Sequence, residues 1–151
     1  MVPSSMQGGC ICRSVGAVIR NQQDRKKILV LHRKVQPVGL ACPAGHTNPW
    51  EDAGDAIRRE TNEETGIEIV DMHRYPDIAV PGVKCSRGQN FHWWSVFEVL
   101  SYRGEPCLEK PNEPEKHDWV RWMDAEEIRK YIDKCDRDLS WEIIWKILKI
   151  I

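Results

Sequence analysis

The sequence predicts an α/β domain in which a mixed β-sheet lies between helices. Three observations carry this. Short runs rich in Val, Ile and Leu recur along the chain, stretches with helical spacing of apolar residues interleave with them, and the interleaving follows no strict β-α-β alternation. A length of 151 residues suits a single domain over 1–151. Residues 1–9 are small and polar and are expected to form a flexible N-terminus.

Taken in order, V-G-A-V-I-R (Val15 to Arg20) and K-I-L-V-L-H-R (Lys27 to Arg33) read as strands, with polar Asn21 to Arg25 as a hairpin connection. Val35 to Leu40 holds Pro37 and Gly39 and reads as a loop leading into a short segment, Ala41 to Gly45. Pro49 and Trp50 precede a helix over Asp52 to Thr65, which Gly66 ends as a C-cap. Ile67 to Val70 opens an extended region that continues irregularly toward Val80. Phe91 to Val99 alternates, with Phe91, Trp93, Ser95, Phe97 and Val99 on one face and His92, Trp94, Val96 and Glu98 on the other. Pro106 to Pro114 is a proline-rich loop, Asp118 to Trp122 a short strand, and Asp124 caps a helix running to about Tyr131. Ser140 to Ile151 forms a last helix with Trp141, Ile144, Trp145, Leu148 and Ile151 on one stripe. Ile143, Ile147 and Ile150 lie beside that stripe, so this helix packs on the sheet or buries a homodimer interface.

Charge narrows the function. Lys plus Arg total 22 and Asp plus Glu total 23, a net charge of −1. Neither a sequence-independent nucleic-acid binder nor a polybasic membrane-surface protein is expected from that balance. No apolar run is long enough to cross a bilayer and no signal pattern opens the chain, so a cytoplasmic location is expected. The six cysteines show no C-x-x-C knuckle. Cys42, Cys85, Cys107 and Cys135 are scattered, and reduced thiols filling the core are the expectation. A structural metal on Cys10 and Cys12 is the alternative.

A charge-rich helix is ordinarily a solvated face, yet the phase of Asp52 to Thr65 argues otherwise. At about 100° per residue, Ala53, Ala56 and Ile57 share one side, Glu60 and Glu64 fall on that same side, and Glu63 lies at its margin. Asp52, Asp55, Arg58, Arg59 and Asn62 occupy the opposite arc. Carboxylates converging on an inward stripe repel one another and lose hydration unless a cation pairs with them. Hard divalent ions with oxygen ligands, above all Mg²⁺, answer that need.

These residues also carry a resemblance. Gly45, then five intervening residues and Glu51, then seven more and Arg59-Glu60-Thr61-Asn62-Glu63-Glu64-Thr65-Gly66-Ile67, is similar to the Nudix box G-x5-E-x7-R-E-U-x-E-E-x-G-U. Its fixed residues would coincide by chance on the order of 10⁻⁸ per starting position. Thr61 departs from the pattern, standing where an aliphatic residue is usual, at a packing position not expected to affect the chemistry. The resemblance implies a Nudix hydrolase, an α/β/α sandwich that cleaves a nucleoside diphosphate linked to some group X. It implies that Glu60, Glu63 and Glu64 ligate Mg²⁺ or Mn²⁺, with the Gly45 carbonyl as a further ligand. Arg59 would orient Glu60, and Glu51 and Gly66 would support the loop–helix–loop. Arg59 also stands at i,i+4 spacing to Glu63, a helix-stabilising pair. Metal ions neutralise the pyrophosphate oxygens and orient a water. Glu60 or Glu63 would accept its proton.

Four further segments resemble the branch that hydrolyses nucleoside triphosphates, including MTH-like enzymes. They are Pro43-Ala44-Gly45-His46, Arg59-Glu60-Thr61, His92-Trp93-Trp94-Ser95-Val96-Phe97, and Glu113-Pro114-Glu115-Lys116-His117 followed by Trp119 and Trp122, with His117 where that branch has cysteine. A (deoxy)nucleoside triphosphate cleaved to monophosphate and pyrophosphate is the expected reaction. His46, Trp50, Trp94 and Glu113 are the candidate substrate contacts, the tryptophans by stacking on a base, and either Glu113 or Glu115 would add a carboxylate to the metal cluster. An ADP-ribose-like nucleotide sugar is the second substrate, hinted at by Pro81-Gly82 about fifteen residues past the box. A nucleotide-sensing module without catalysis is disfavoured because Glu51, Arg59, Glu60, Glu63 and Glu64 are all retained. An RNA 5′-end pyrophosphohydrolase would need a cationic path, for which Arg25, Lys26, Lys27, Arg33 and Lys34 are the candidates. The expected partner is a small nucleotide, with neither membrane nor nucleic acid. From Glu51 to Glu68 seven acids face two bases, so this stretch stands at 2 − 7 = −5 within a nearly neutral chain.

Overall fold

The α/β expectation is met, with the strands divided between two sheets instead of joined in one. A computed structural model describes residues 12–35, 37–82, 91–108, 110–132 and 139–151. The expectations for the 1–9 N-terminus, for a Cys10–Cys12 metal pair and for Cys85 and Cys135 lie outside the described residues. Along the chain run β1 (Cys12–Ile19), β2 (Ile28–Arg33), β3 (Gly39–Ala41), β4 (Ala44–His46), α1 (Ala53–Thr65), β5 (Glu68–Arg74), β6 (Ile78–Pro81), β7 (Phe91–Arg103), β8 (His117–Met123), α2 (Ala125–Ile132) and α3 (Leu139–Ile147).

In the larger sheet β1 pairs parallel with β7, from Cys12 opposite His92 to Ile19 opposite Val99, and antiparallel with β4 on its other edge. Strands β5 and β6 share the far edge of β7, both antiparallel to it. The smaller sheet is antiparallel, with β2 between β3 and β8. The expected hairpin of the first two strands is therefore corrected. Asn21 N–H donates to Lys27 O at 2.9 Å and Arg20 bridges Ile28, but past this turn β1 and β2 enter different sheets. Both strands are apolar on two faces, which suits strands covered on both sides and does not specify a hairpin partner.

Those two faces build two core layers. Val15, Ala17 and Ile19 of β1, Leu29 and Leu31 of β2, and Phe97 and Val99 of β7 pack with Ala56 and Ile57 of α1. Val18, Ile28, Val30, Trp94 and Val96 point the other way, against Ile128 and Ile132 of α2 and Trp141, Ile144 and Trp145 of α3. The sheets are thus held between α1 on one side and α2 with α3 on the other. At Gly16 an added Cβ would meet the Trp141 ring at 2.5 Å, so the missing side chain lets the indole lie against the sheet.

The last helix ends at Ile147, before the expected Ile151, and Lys149 takes a positive φ of 58° that a helix cannot continue through. Its stripe of Trp141, Ile144 and Trp145 is spent on the core, while Ile147 remains half exposed. Cys42 meets the expectation of a buried thiol and accepts a hydrogen bond from Trp145 Nε1 at 3.3 Å. Cys107 does not: it is exposed, because it follows Pro106 in the loop beyond the end of β7. Among the described residues no helix is long and apolar enough to cross a membrane.

Candidate active site

Helix α1 owes its position to its two ends. The Asp52 carboxylate caps the start, accepting from Asp55 N–H at 2.8 Å. Gly66 closes the helix in the left-handed region, φ 78°, and its N–H donates to Asn62 O at 2.8 Å. Between them Ala56, Ile57, Thr61, Glu64 and Thr65 are buried, Glu60 is partly buried and Glu63 is exposed. This is the expected phase, with Glu63 at the margin and Thr61 as a packing residue.

Arg59 is the exception. The sequence places it on the outward arc, whereas in the structure its guanidinium is partly buried among five acceptors. It clasps Glu51 with two hydrogen bonds, Nε to Oε2 at 2.8 Å and Nη2 to Oε1 at 2.9 Å. It also donates to Glu60 Oε1 at 3.0 Å, to Glu63 Oε2 at 3.4 Å and to the His46 carbonyl at 3.3 Å. Forked pairing of this kind is the strongest arrangement between arginine and a carboxylate. It holds the Glu51 carboxyl well below the usual range, at about 2, with a third hydrogen bond, from Asn48 N–H, helping. Arg59 in turn is raised further above its ordinary value by Glu51 first and then Glu60.

Glu60 experiences the opposite. Burial, then the neighbouring Glu64 carboxylate, push its carboxyl up to about 7 despite the Arg59 guanidinium beside it. The space is tight, since a Cβ on Gly45 would overlap the Glu60 carboxyl group. The glycine of the box is required here by close approach, independent of its backbone angles.

Glu64 is fixed from two other elements. Its Oε1 accepts from Ala44 N–H of β4 at 2.8 Å, and its Oε2 lies 3.1 Å from Nε2 of His117 at the start of β8. Glu113 joins them, so that ligand atoms of Glu64, Glu113 and His117 all lie within 4.8 Å of one another. Lys116 reaches Glu113 Oε2 at 3.3 Å. Burial works against its charge, yet Glu113, Glu60 and Glu64 outweigh that and hold its ammonium group above the ordinary value. His117 was missed as a site residue. The signal available was its place in the E-P-E-K-H segment, read only as a departure from cysteine.

The remaining candidates separate. His46 contributes its carbonyl to Arg59. Trp50, next to Glu51, has 85% of its surface exposed and is open to stacking. Trp94 is buried in the core, 7% exposed and edge-on to Trp141 at 5.2 Å, so its ring faces are not open to stacking as those of Trp50 are. The alternation of β7 puts Trp94 on the face shared by His92 and Val96, and packing against α3 makes that face a buried one.

The donor set suits a hard divalent ion: several carboxylates brought together, one of them driven toward protonation by burial and then by Glu64, with the Gly45 backbone adjoining. The sequence model of the NUDIX domain family matches residues 11–141. A search of curated protein sequences finds no match. Among solved structures, a MutT NUDIX hydrolase from Burkholderia pseudomallei is similar over 77% of this chain and 84% of that one, at 23% identity and a TM-score of 0.64. A MutT structure from work on Aliivibrio salmonicida and Vibrio cholerae is similar over 93% and 98%, at 16% identity and a TM-score of 0.67. The NUDIX domain of Shewanella oneidensis NrtR, complexed with ADP ribose, is similar over 87% and 88%, at 15% identity and a TM-score of 0.63. The chain belongs to the Nudix family, and it is a hydrolase acting on acid anhydrides in phosphorus-containing compounds.

Proposed function

We propose that this protein hydrolyses a (deoxy)nucleoside triphosphate to the monophosphate and pyrophosphate, with Mg²⁺ or Mn²⁺ held by Glu60, Glu63, Glu64 and the Gly45 carbonyl. The observation that carries the reading is the crowding of Glu60: burial first, and the neighbouring Glu64 carboxylate second, raise its carboxyl to about 7, and a cation among these carboxylates relieves both costs. When bound, such an ion neutralises polyphosphate oxygens and lowers the pKa of an attacking water. Arg59 keeps Glu60 and Glu63 oriented through its contacts at 3.0 and 3.4 Å. Either Glu60 or Glu63 serves as the proton acceptor, both being carboxylates beside the proposed ion. Lys116, paired with Glu113 at 3.3 Å, supplies positive charge toward the incoming phosphates, and the exposed Trp50 ring offers a face to the base.

The segments around His46, Thr61 and Glu113 that resemble the triphosphate-cleaving branch support that substrate class. A second reading, hydrolysis of an ADP-ribose-like nucleotide sugar, is favoured by the similarity to the NrtR domain complexed with ADP ribose. A magnesium-dependent screen of nucleoside triphosphates, nucleotide sugars and dinucleoside polyphosphates tests both, with pyrophosphate and phosphate release measured separately. Pyrophosphate release from triphosphates is expected. Turnover confined to ADP-ribose replaces the first reading by the second, and inactivity on every nucleotide refutes both.

A further inference from the structure

The box supplies the glutamates, but it does not supply the imidazole that touches one of them. We infer that His117 is a positioning residue, fixing the Glu64 carboxylate for the divalent ion by donating from Nε2, and that it is not itself a nitrogen ligand of that ion. The inference rests on the metal site proposed above and concerns how this chain prepares it.

Three observations lead there. First, the two oxygens of Glu64 are engaged by groups from different strands, Ala44 N–H of β4 at 2.8 Å and His117 Nε2 of β8 at 3.1 Å. Two donors on opposite oxygens fix the plane of the carboxylate, and a carboxylate with about four lone-pair sites keeps the other two for an ion. Second, the position of His117 is built by a tight turn. Lys116 N–H and His117 N–H both donate to the Glu113 carbonyl, at 2.9 and 3.0 Å, which sets Glu113 and His117 together beside Glu64.

Third, the ring's own hydrogen bonding chooses its tautomer. His117 is 1% exposed, and its Nδ1 is buried with no hydrogen-bond partner among the described residues. A proton on Nδ1 would be a buried donor without an acceptor, whereas a bare nitrogen there costs less. The proton therefore sits on Nε2, pointed at Glu64 Oε2. A protonated nitrogen has no lone pair for a metal, so the geometry favours orienting the ligand over being one. Histidine–carboxylate pairs near metals usually run the other way, with the imidazole on the ion and the carboxylate behind it. Here the carboxylate faces the site and the imidazole stands behind.

The test is Mn²⁺ binding by the full chain, read from the electron paramagnetic resonance signal of free Mn²⁺, in wild type, His117→Leu and His117→Gln. Leucine fills the volume without a donor, and glutamine keeps an N–H at similar reach. His117→Leu is expected to weaken binding about 10- to 100-fold, in the range typical of lost outer contacts at metal sites. His117→Gln is expected to restore most of it. Electron spin-echo modulation of the bound ion should show no directly coordinated ¹⁴N in the wild type. Mn²⁺ affinity unchanged in a folded His117→Leu, or a directly coordinated ¹⁴N, overturns the role. If His117→Leu fails to fold, the glutamine variant and the modulation spectrum decide: loss of affinity in His117→Gln or a coordinated nitrogen counts against it. Wild-type protein that binds no Mn²⁺ overturns the metal site itself and this role with it.

Discussion

At the scale of the residue, the site is organised by where positive charge is already present. Arg59 gathers Glu51, Glu60 and Glu63, while Glu64 is held by the Ala44 N–H and His117. Glu63→Gln and Glu64→Gln should each lower turnover by orders of magnitude with the fold intact, as followed by steady-state kinetics and circular dichroism. Near-normal magnesium-dependent rates in both would refute the ligand assignment. Gly45→Ala should cost activity as well, because its Cβ overlaps the Glu60 carboxyl and forces that side chain out of place. The pH behaviour follows from Glu60. Its carboxyl stands at about 7 in the folded protein against 4.5 ordinarily, so between those values the folded chain keeps a proton that the unfolded chain has lost. The stabilisation from this group is full below 4.5 and is lost as pH rises through about 7. In EDTA, Glu60→Gln should therefore melt higher than wild type at pH 8 and close to it at pH 5. Equal midpoints at both pH values would count against the buried, crowded carboxyl.

At the scale of the element, α1 was the most legible part of the chain because what defines it is local. Asp52, the apolar Ala56 and Ile57, and Gly66 act within a few residues of one another, and the structure returns the helix as Ala53–Thr65 with those caps. Gly66→Ala forces an L side chain into φ 78° and should destabilise by about 1–2 kcal/mol in urea titrations. Asp52→Ala should cost about 1 kcal/mol through the lost cap. The last helix was less legible. Its apolar run continues to Ile151, and hydrophobic periodicity alone has no means of seeing the left-handed Lys149 that stops it. Strands β3 and β4, three residues each, are too short to show any period, and long-range pairing with β2 and β1 defines them.

At the scale of the whole molecule, two core layers share the sheets, and the indoles decide the second one. Trp94 and Trp141 meet at 5.2 Å and Trp141 and Trp145 at 5.9 Å, with both α3 tryptophans buried to within 1%. Trp141→Ala should destabilise by about 3–5 kcal/mol. Its loss lies on the face opposite α1, so the remaining folded fraction should keep its Mn²⁺ affinity. Denaturant unfolding and metal titration on the same sample check both statements.

The sequence by itself determined the helix α1, the inward phase of its glutamates and the spacing that marks the family. Each of these is written in close neighbours along the chain, Glu51 and Arg59 being the widest step at eight residues, where helical geometry and capping act directly. Tertiary structure alone decided that Arg59 also clasps Glu51 and the His46 carbonyl, that Trp94 is core while Trp50 is exposed, that β1 and β2 part into two sheets, and that His117 meets Glu64. Those contacts join residues from separate elements, and they depend on which strand edges pair and which faces are covered, quantities that no local pattern of residues contains.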